Sequence, residues 1–555
     1  MRTDMKTKNI LFSLLVSLPF LFTSCSDFLD RVPNDALSPS TFWQTESDAD
    51  LAKTGCYNRL TPIISATELM FWDCTSDNLF NYFSWENRKK VANGDMKPSD
   101  TGTSFFNFLD IRACNEYLAN EANIQWTTSE KQERYKSEVR AIRAFLYFWK
   151  TEQYGDFPFF TDVLEDPEVA KIGQTDVATI REFFIKEFTD AIPHLPNKNE
   201  VTEGYLNRQA IQAFLMRYYL YRSDYTNALS YAKAIEDSKL FSIPDMSYAE
   251  SFLVNNIINS ETIFSHTSIG GKGGDFHFYL PPFMPNAIGG WSSVVPTMDL
   301  AEAYEMNDGR TIEEAAGDYD PANPFVNRDP RLRATILYPG QKYSRYAGMP
   351  DGCYNSMPEF FSNGSKNSDY YQNADNASKS GLQFKKFLQD LDQFPDENSA
   401  TMPFPVIRYA EVLLTMAECL IELNQEQAKA IECINLVRRR AGMPDVDETK
   451  YNNQAKLREL VRRERRVELA GEGLRRADLI RWGELVSKLN GFEIRHYDGD
   501  VTSVLNDEGD YNINVTGKSV VAGQTYHVQE HNKYLPIHQD QIKLSEGKLK
   551  QTPGY

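Results

Sequence analysis

Between residues 132 and 153 apolar side chains recur at alternating steps of four and three: Tyr135, Val139, Ile142, Leu146 and Trp149. That spacing paints one stripe along an α-helix and does not fit the two-residue period of a strand. A helix is therefore predicted from about Gln132 to Gln153, stopped by Tyr154-Gly155-Asp156-Phe157-Pro158. A helix this long with a single apolar face has to bury that face against the rest of the chain.

Two further stretches extend the pattern into helix hairpins. Arg208 to Tyr221 and Tyr225 to Asp237 are helical runs separated by a break at Ser223-Asp224. Leu215, Tyr219 and Ala228 stand at spacings found in tetratricopeptide helix pairs, where small residues let antiparallel helices approach closely. Tyr409 to Leu423 and Gln427 to Arg440 form a second pair, with Ala430, Ile434, Val437 and Ala441 at steps of four and three and Gly442 ending the helix. Another helix is predicted from about Leu457 into Arg481-Trp482, followed by a tail of irregular Pro-containing turns.

The segment from about Phe241 to Pro405 differs in character. Gly270-Gly271-Lys272-Gly273-Gly274, Pro281-Pro282 and the Asn/Ser/Asp-rich tract from Ser362 to Ser380 forbid long regular helices. A loop-rich lobe is expected here, and loops held on a rigid scaffold are where binding residues concentrate.

The N-terminus carries Arg2, Lys6 and Lys8, then an apolar run from Ile10 to Phe22 that is short for a membrane span. The run ends in Phe22-Thr23-Ser24-Cys25, which looks like a lipobox, although Phe22 stands where Leu or Val is usual. Residues 1–24 are accordingly predicted to be a signal peptide and Cys25 the lipidated first residue of the mature chain. Residues 25–45, with Pro33 and Pro39, then form a tether. The competing reading is an ordinary secreted protein cut near Ser24. Of the seven cysteines, Cys56, Cys74, Cys114, Cys353, Cys419 and Cys433 remain, and their even number permits disulfides without arguing for them.

Lys plus Arg total 59 against 78 Asp plus Glu, a net charge of −19, which repels nucleic-acid phosphates and anionic lipid. Neutral partners fit better. No GxSxG, HExxH or CxxC occurs, so neither nucleophilic nor zinc chemistry has a motif, and no cofactor or metal is expected. Glu464, Glu468 and Glu472, spaced by four among Arg462, Arg463, Arg465 and Arg466, superficially offer the paired carboxylates of a glycosidase. The same spacing describes a salt-bridge network holding the C-terminal helices, which is the preferred reading. Asp318, Asp320, Asn323 and Asp329 do not have EF-hand spacing and are read as a solvated acidic turn rather than a calcium site.

Several motifs resemble the SusD (RagB/SusD) family. They are Ile407-Arg408-Tyr409-Ala410-Glu411-Val412-Leu413-Leu414 and Asn435-Leu436-Val437-Arg438-Arg439-Arg440-Ala441-Gly442. Glu464 to Leu469, Glu472-Gly473, Asp478 to Gly483, Tyr534-Leu535-Pro536-Ile537 and Gln551 to Tyr555 follow in the family's order. Upstream, Tyr154-Gly155-Asp156, Pro296 to Leu300, Asp308-Gly309 and Asn327 to Arg331 continue it, whereas His538 and Thr552 depart from the common Pro and Asn. The resemblance covers essentially the whole mature chain. It implies one mostly α SusD-like domain over residues 46–555, with tetratricopeptide-like helix hairpins at about 132–240 and 405–490 supporting a loop-rich lobe at about 241–405. It further implies a non-enzymatic glycan-binding lipoprotein on the outer-membrane surface that serves a SusC-like TonB-dependent barrel transporter. A peptide-binding transporter accessory is the alternative, and an extracellular glycoside hydrolase ranks last.

A sugar site lays C–H faces on aromatic rings and bonds hydroxyls to amides and charged groups. Phe71 to Arg88 mixes these groups without a sustained apolar period, and family members place ligand contacts in this neighbourhood. Trp72, Asn78, Tyr82, Trp85 and Arg88 are therefore the first candidates. Tyr279 and Trp291, beside the glycines, come next, with Tyr343 and Tyr346 in a third loop. For each ring alone, core packing beneath a loop competes with ligand contact.

Overall fold

The computed structural model describes residues 42–100, 106–267, 279–372, 376–388, 391–394, 397, 398 and 400–555. The signal peptide, Cys25 and most of the expected tether lie outside the described residues, as do Asp275 to Phe278.

Helices dominate, and those of twelve or more residues are numbered here: α1 Glu46–Asn58, α2 Leu109–Asn120, α3 Ser129–Tyr154, α4 Val177–Ala191, α5 Arg208–Tyr221, α6 Tyr225–Asp237, α7 Tyr409–Glu422, α8 Gln427–Arg440 and α9 Gln454–Glu468. The expected stripe is the buried face of α3, where Val139, Ile142 and Leu146 are fully enclosed. Thr128 opens this helix by accepting from the Lys131 amide at 3.2 Å. Gly155, at φ +72°, closes it. Asn207 and Asp224 cap α5 and α6 in the same way, accepting from the Ala210 and Asn227 amides at 2.9 and 3.1 Å. Pairs α3/α4, α5/α6 and α7/α8 pack as hairpins, and α7 also lies against α6 and α9, joining the two expected scaffold regions. Small residues sit at the close approaches: Ala228, Ala430 and Ala232 are all fully buried.

Between α6 and α7 no regular element among the described residues exceeds six residues, as the glycine, proline and Asn/Ser content led one to expect. The strands there pair with distant segments: β1 (Leu79–Asn81) with β3 (Val294–Pro296), β2 (Thr262–Thr267) with β6 (Pro403–Arg408), and β4 (Ile336–Leu337) with β5 (Gln383–Phe384), all antiparallel. One apolar core runs from Ala49 to Leu549, and a smaller one around Phe80, Val295, Leu479 and Tyr526 supports the β1–β3 ladder.

Two expectations fail. The helix predicted from Leu457 into Trp482 is broken: α9 ends at Glu468 and a short helix, Arg475–Arg481, follows. Gly471 and Gly473 turn the chain between them at φ +80° and +74°, a region that favours glycine. A Cβ on Gly471 would lie 2.2 Å from Cζ of Phe384, so this turn also lets a ring approach the backbone. The tail is not merely irregular turns, because β7 (Glu493–Leu505) and β8 (Tyr511–Thr525) form a long hairpin. Much of this ribbon is exposed on both faces, so it carries little of the two-residue apolar alternation that would have revealed it.

The acidic run is a buried ion network. Glu464 meets Arg331 at 2.9 Å and also Arg438; Glu468 meets Arg408 at 2.7 Å, Arg331 at 3.2 Å and also Arg440; Glu472 meets Arg408 and Lys386 at 2.7 and 2.6 Å. The cations come from other elements, because neighbouring Arg462, Arg463, Arg465 and Arg466 pair with Glu484, Glu305, Asp478 and Asp77 instead. Asp329 is likewise committed to Arg331 at 2.7 Å, and Asp318 to Arg310. Cys56, Cys74, Cys114, Cys353, Cys419 and Cys433 are all buried and free. No helix among the described residues is long and apolar enough to cross a membrane.

Candidate functional site

The β1–β3 ladder brings together two segments more than 200 residues apart, pairing Leu79, Phe80 and Asn81 with Pro296, Val295 and Val294. Phe80 and Val295 turn into the smaller apolar core. Asn81 locks the exit of the ladder by donating from Nδ2 to the Ser293 carbonyl at 2.8 Å and to the Glu86 carboxylate. At the other end Thr297 donates from Oγ1 to the Asp77 carbonyl at 2.7 Å. The segments flanking this anchored ladder, 82–88 and 279–293, are thereby fixed on one side of the molecule.

Tyr82 and Trp85 leave the ladder from β1. The chain turns through a short 3₁₀ helix, Ser84–Glu86, and Asn87 adopts φ +59°. Trp85 is 70% exposed. Its ring stacks on the buried Phe83, centroids 4.5 Å apart and planes at 28°. One face is thus held by the protein while the residue as a whole remains open to solvent. Tyr82 is half-buried, and the ammonium groups of Lys89 and Lys379 stand 5.0 and 4.9 Å from its ring centre. Burial lowers the pKa of Lys89.

Tyr279 and Trp291 reach the same ladder from β3. Trp291 is 37% exposed and meets Tyr279 edge-to-face at 5.3 Å. Backbone bonds hold its loop: the Trp291 amide donates to Pro281 at 2.7 Å, that of Ser293 to Pro282 at 2.7 Å, and that of Ser292 to Met284 at 3.0 Å. Gly290 passes so close to Met284 that a Cβ would lie 2.0 Å from its carbonyl oxygen. The exposure of Trp291 is thus imposed by a braced loop.

Five other candidates are engaged inside the protein. Trp72 is 4% exposed, on the helix Ala66–Asp73, and packs against Trp149 with ring centres 5.7 Å apart. Asn78 accepts from Arg466 Nε at 2.9 Å and is buried. Arg88 donates to both oxygens of Glu68 at 2.7 and 2.6 Å. Tyr343 donates to the Leu388 carbonyl at 2.6 Å, and Tyr346 donates to Asp369. Their rings and polar atoms already serve the fold, which sets these residues apart from the exposed Trp85 and Trp291. Sequence reasoning missed Lys89 and Lys379, and also Tyr371, whose carbonyl accepts from Lys379 at 3.3 Å and whose ring lies on His496 at 3.4 Å. No local pattern marks them, since only tertiary pairing places Lys379 beside Tyr82.

The arrangement offers aromatic surface beside ammonium and carbonyl groups. Residues 260–555 match the model of the SusD family. SusD-like protein P25 of Formosa agariphila is 28% identical over 532 residues, covering 89% of this chain and 93% of that protein. The crystal structure of a SusD-like carbohydrate binding protein from Bacteroides fragilis is 30% identical, with a TM-score of 0.77, and covers 91% of this chain and 99% of that one. The surface glycan-binding protein A of Bacteroides thetaiotaomicron, solved with laminarihexaose, shares the fold at 19% identity and a TM-score of 0.64, covering 92% and 100%. With a family match over more than half of the sequence and a fold shared almost end to end, this chain belongs to the SusD family.

Proposed function

We propose that this protein is an outer-membrane surface lipoprotein, anchored through Cys25, that captures oligo- or polysaccharide and delivers it to a SusC-like TonB-dependent transporter. The observation that carries the glycan reading is Trp85, an exposed indole backed by Phe83, whose ring also meets Tyr82. A flat ring held rigidly at one face suits the apolar C–H face of a pyranose at low conformational cost. Trp291 with Tyr279 supplies a second aromatic surface. Two family relatives support the same reading, one described as carbohydrate binding and one solved with laminarihexaose. The protein acts by binding alone, since the acidic run that invited a hydrolase reading is consumed by ion pairs.

The test is binding of the mature chain to arrays of glycans and peptides, with reducing-sugar release measured alongside. Saturable glycan binding without hydrolysis is expected. Peptide binding alone, or release of sugar, would overturn the reading. Mass spectrometry of the mature N-terminus tests Cys25, and pull-down from detergent-solubilised outer membranes tests the barrel partner.

A further inference from the structure

Trp72, removed from the aromatic rim, lines a partly open cavity of about 200 Å³ in the helical scaffold. Ile63, Leu69, Trp72, Phe145, Phe148 and Trp149 form its apolar wall. Its polar lining is cationic. Arg217 is balanced by Glu411 at 2.6 Å and Arg481 by Glu418 at 2.6 Å. Glu152, the one carboxylate among the lining residues, pairs with Arg222 and faces Arg181 at 3.9 Å.

Two lining cations stand outside this balance. Arg476 is buried, and its guanidinium donates only to backbone carbonyls, of Thr75 at 2.9 Å and of Asn532, with no carboxylate partner among the described residues. Burial lowers its pKa to about 10, with only the Tyr555 hydroxyl opposing the shift. Lys533 is exposed on the same lining and likewise pairs with no carboxylate among the described residues. Carbonyl dipoles satisfy the hydrogen-bonding of a buried guanidinium but leave its full charge uncompensated, and an anion alongside it would supply the missing countercharge.

We propose that this cavity is a second ligand site, separate from the aromatic rim, that takes a small organic carboxylate with one aromatic ring or a body of similar size. Size and chemistry both bear on the class. A dry cavity of about 150 Å³ admits benzene, so the volume here suits one ring carrying a short acid group. Aromatic walls favour the ring over a bare inorganic anion, and the unbalanced cations favour an acid over an amine. Lys533, at the exposed part of the lining, draws an anion towards the opening.

Titration calorimetry of the mature chain with phenylacetate and benzoate tests this, with phenylacetamide as the neutral counterpart and acetate as the ringless one. Saturable binding of the aromatic acids is expected, at least about tenfold tighter than either control. Lys533→Ala should weaken it several-fold, and Ala477→Met, which takes up part of the cavity, should weaken it at least about tenfold while glycan binding persists. Arg476→Gln should do the same as Ala477→Met; if that variant does not fold, the other two decide. The proposal is overturned by absence of saturable binding of both acids, by equal affinity for phenylacetamide, or by undiminished binding in Ala477→Met.

Discussion

Arg408 is joined to Glu472 by three hydrogen bonds, from Nε to both carboxylate oxygens at 3.0 and 2.9 Å and from Nη2 to Oε1 at 2.7 Å. Both residues are buried, and the pair ties the end of β6 to the turn that follows α9. Removing one partner of a buried pair leaves an uncompensated charge, which costs about 3–5 kcal/mol. Arg408→Met is therefore expected to lower the urea unfolding midpoint strongly. Arg439→Met, which removes a solvent-exposed partner of Glu432 and Asp445, should change stability by less than ~1 kcal/mol. Equal effects in the two variants would contradict the weight given to the buried network.

The same network sets an acid limit. Burial alone would raise the pKa of Glu468, but Arg440, Arg408 and Arg331 more than offset it and hold the carboxyl at about 2. A depressed carboxylate contributes stability above its unfolded pKa of about 4.3 and loses it as pH falls towards the folded value. Thermal midpoints should therefore drop between about pH 4.5 and 2.

Asp73 runs the other way. Burial, only partly offset by the Gly471 amide and Asn78, raises its pKa to about 6. The stability tied to this group is full below pH about 4 and is lost as pH rises through 6. Asp73→Asn retains an acceptor for the Gly471 amide, which now donates to Oδ2 at 2.7 Å. The variant should be more stable than the parent at pH 7, by up to roughly 3 kcal/mol, and should lose the pH dependence between 4 and 6. A parallel pair of pH profiles would refute this.

Gly471 and Gly491 share φ +80° but differ in surroundings. Nothing lies within 4 Å of a Cβ on Gly491, so alanine there pays only the left-handed backbone, about 1–2 kcal/mol. At Gly471 the Phe384 ring must also move. Gly471→Ala should therefore destabilise by more than Gly491→Ala, by at least about 2 kcal/mol further, as read from paired unfolding curves.

The helix hairpins were legible because burial repeats at three and four residues, as Val139, Ile142 and Leu146 do on α3. The break at Gly471 was hidden by flanking helix formers and is decided by Phe384, far away in sequence. The β7–β8 hairpin escaped because a ribbon wet on both faces has no apolar alternation. At the site, Trp72 and Trp85 look alike in sequence, both in a loop-like aromatic stretch. Their fates are set by tertiary neighbours: Trp149 covers the first, whereas Phe83 supports the second from below and leaves it exposed. Asn78 accepts from Arg466, 388 residues away, a pairing that no local pattern announces.

The second aromatic surface predicts a graded response. Trp291 is less exposed than Trp85, and its loop is braced by backbone bonds that do not involve the indole. Trp291→Ala should leave the unfolding midpoint nearly unchanged and weaken binding of long glycans more than of short ones, because a second stacking point is used only by a chain that spans both. Equal losses for a disaccharide and a hexasaccharide would place both rings in one subsite.

The central claim, that Trp85 is a glycan-stacking ring, is tested most directly by isothermal titration of the parent and Trp85→Ala with the glycan that the array identifies. The account predicts that the variant folds with a midpoint close to the parent's, since the ring is 70% exposed, and loses about 1–3 kcal/mol of binding free energy, roughly five- to two-hundredfold in Kd. An unchanged Kd in a folded Trp85→Ala protein would contradict it.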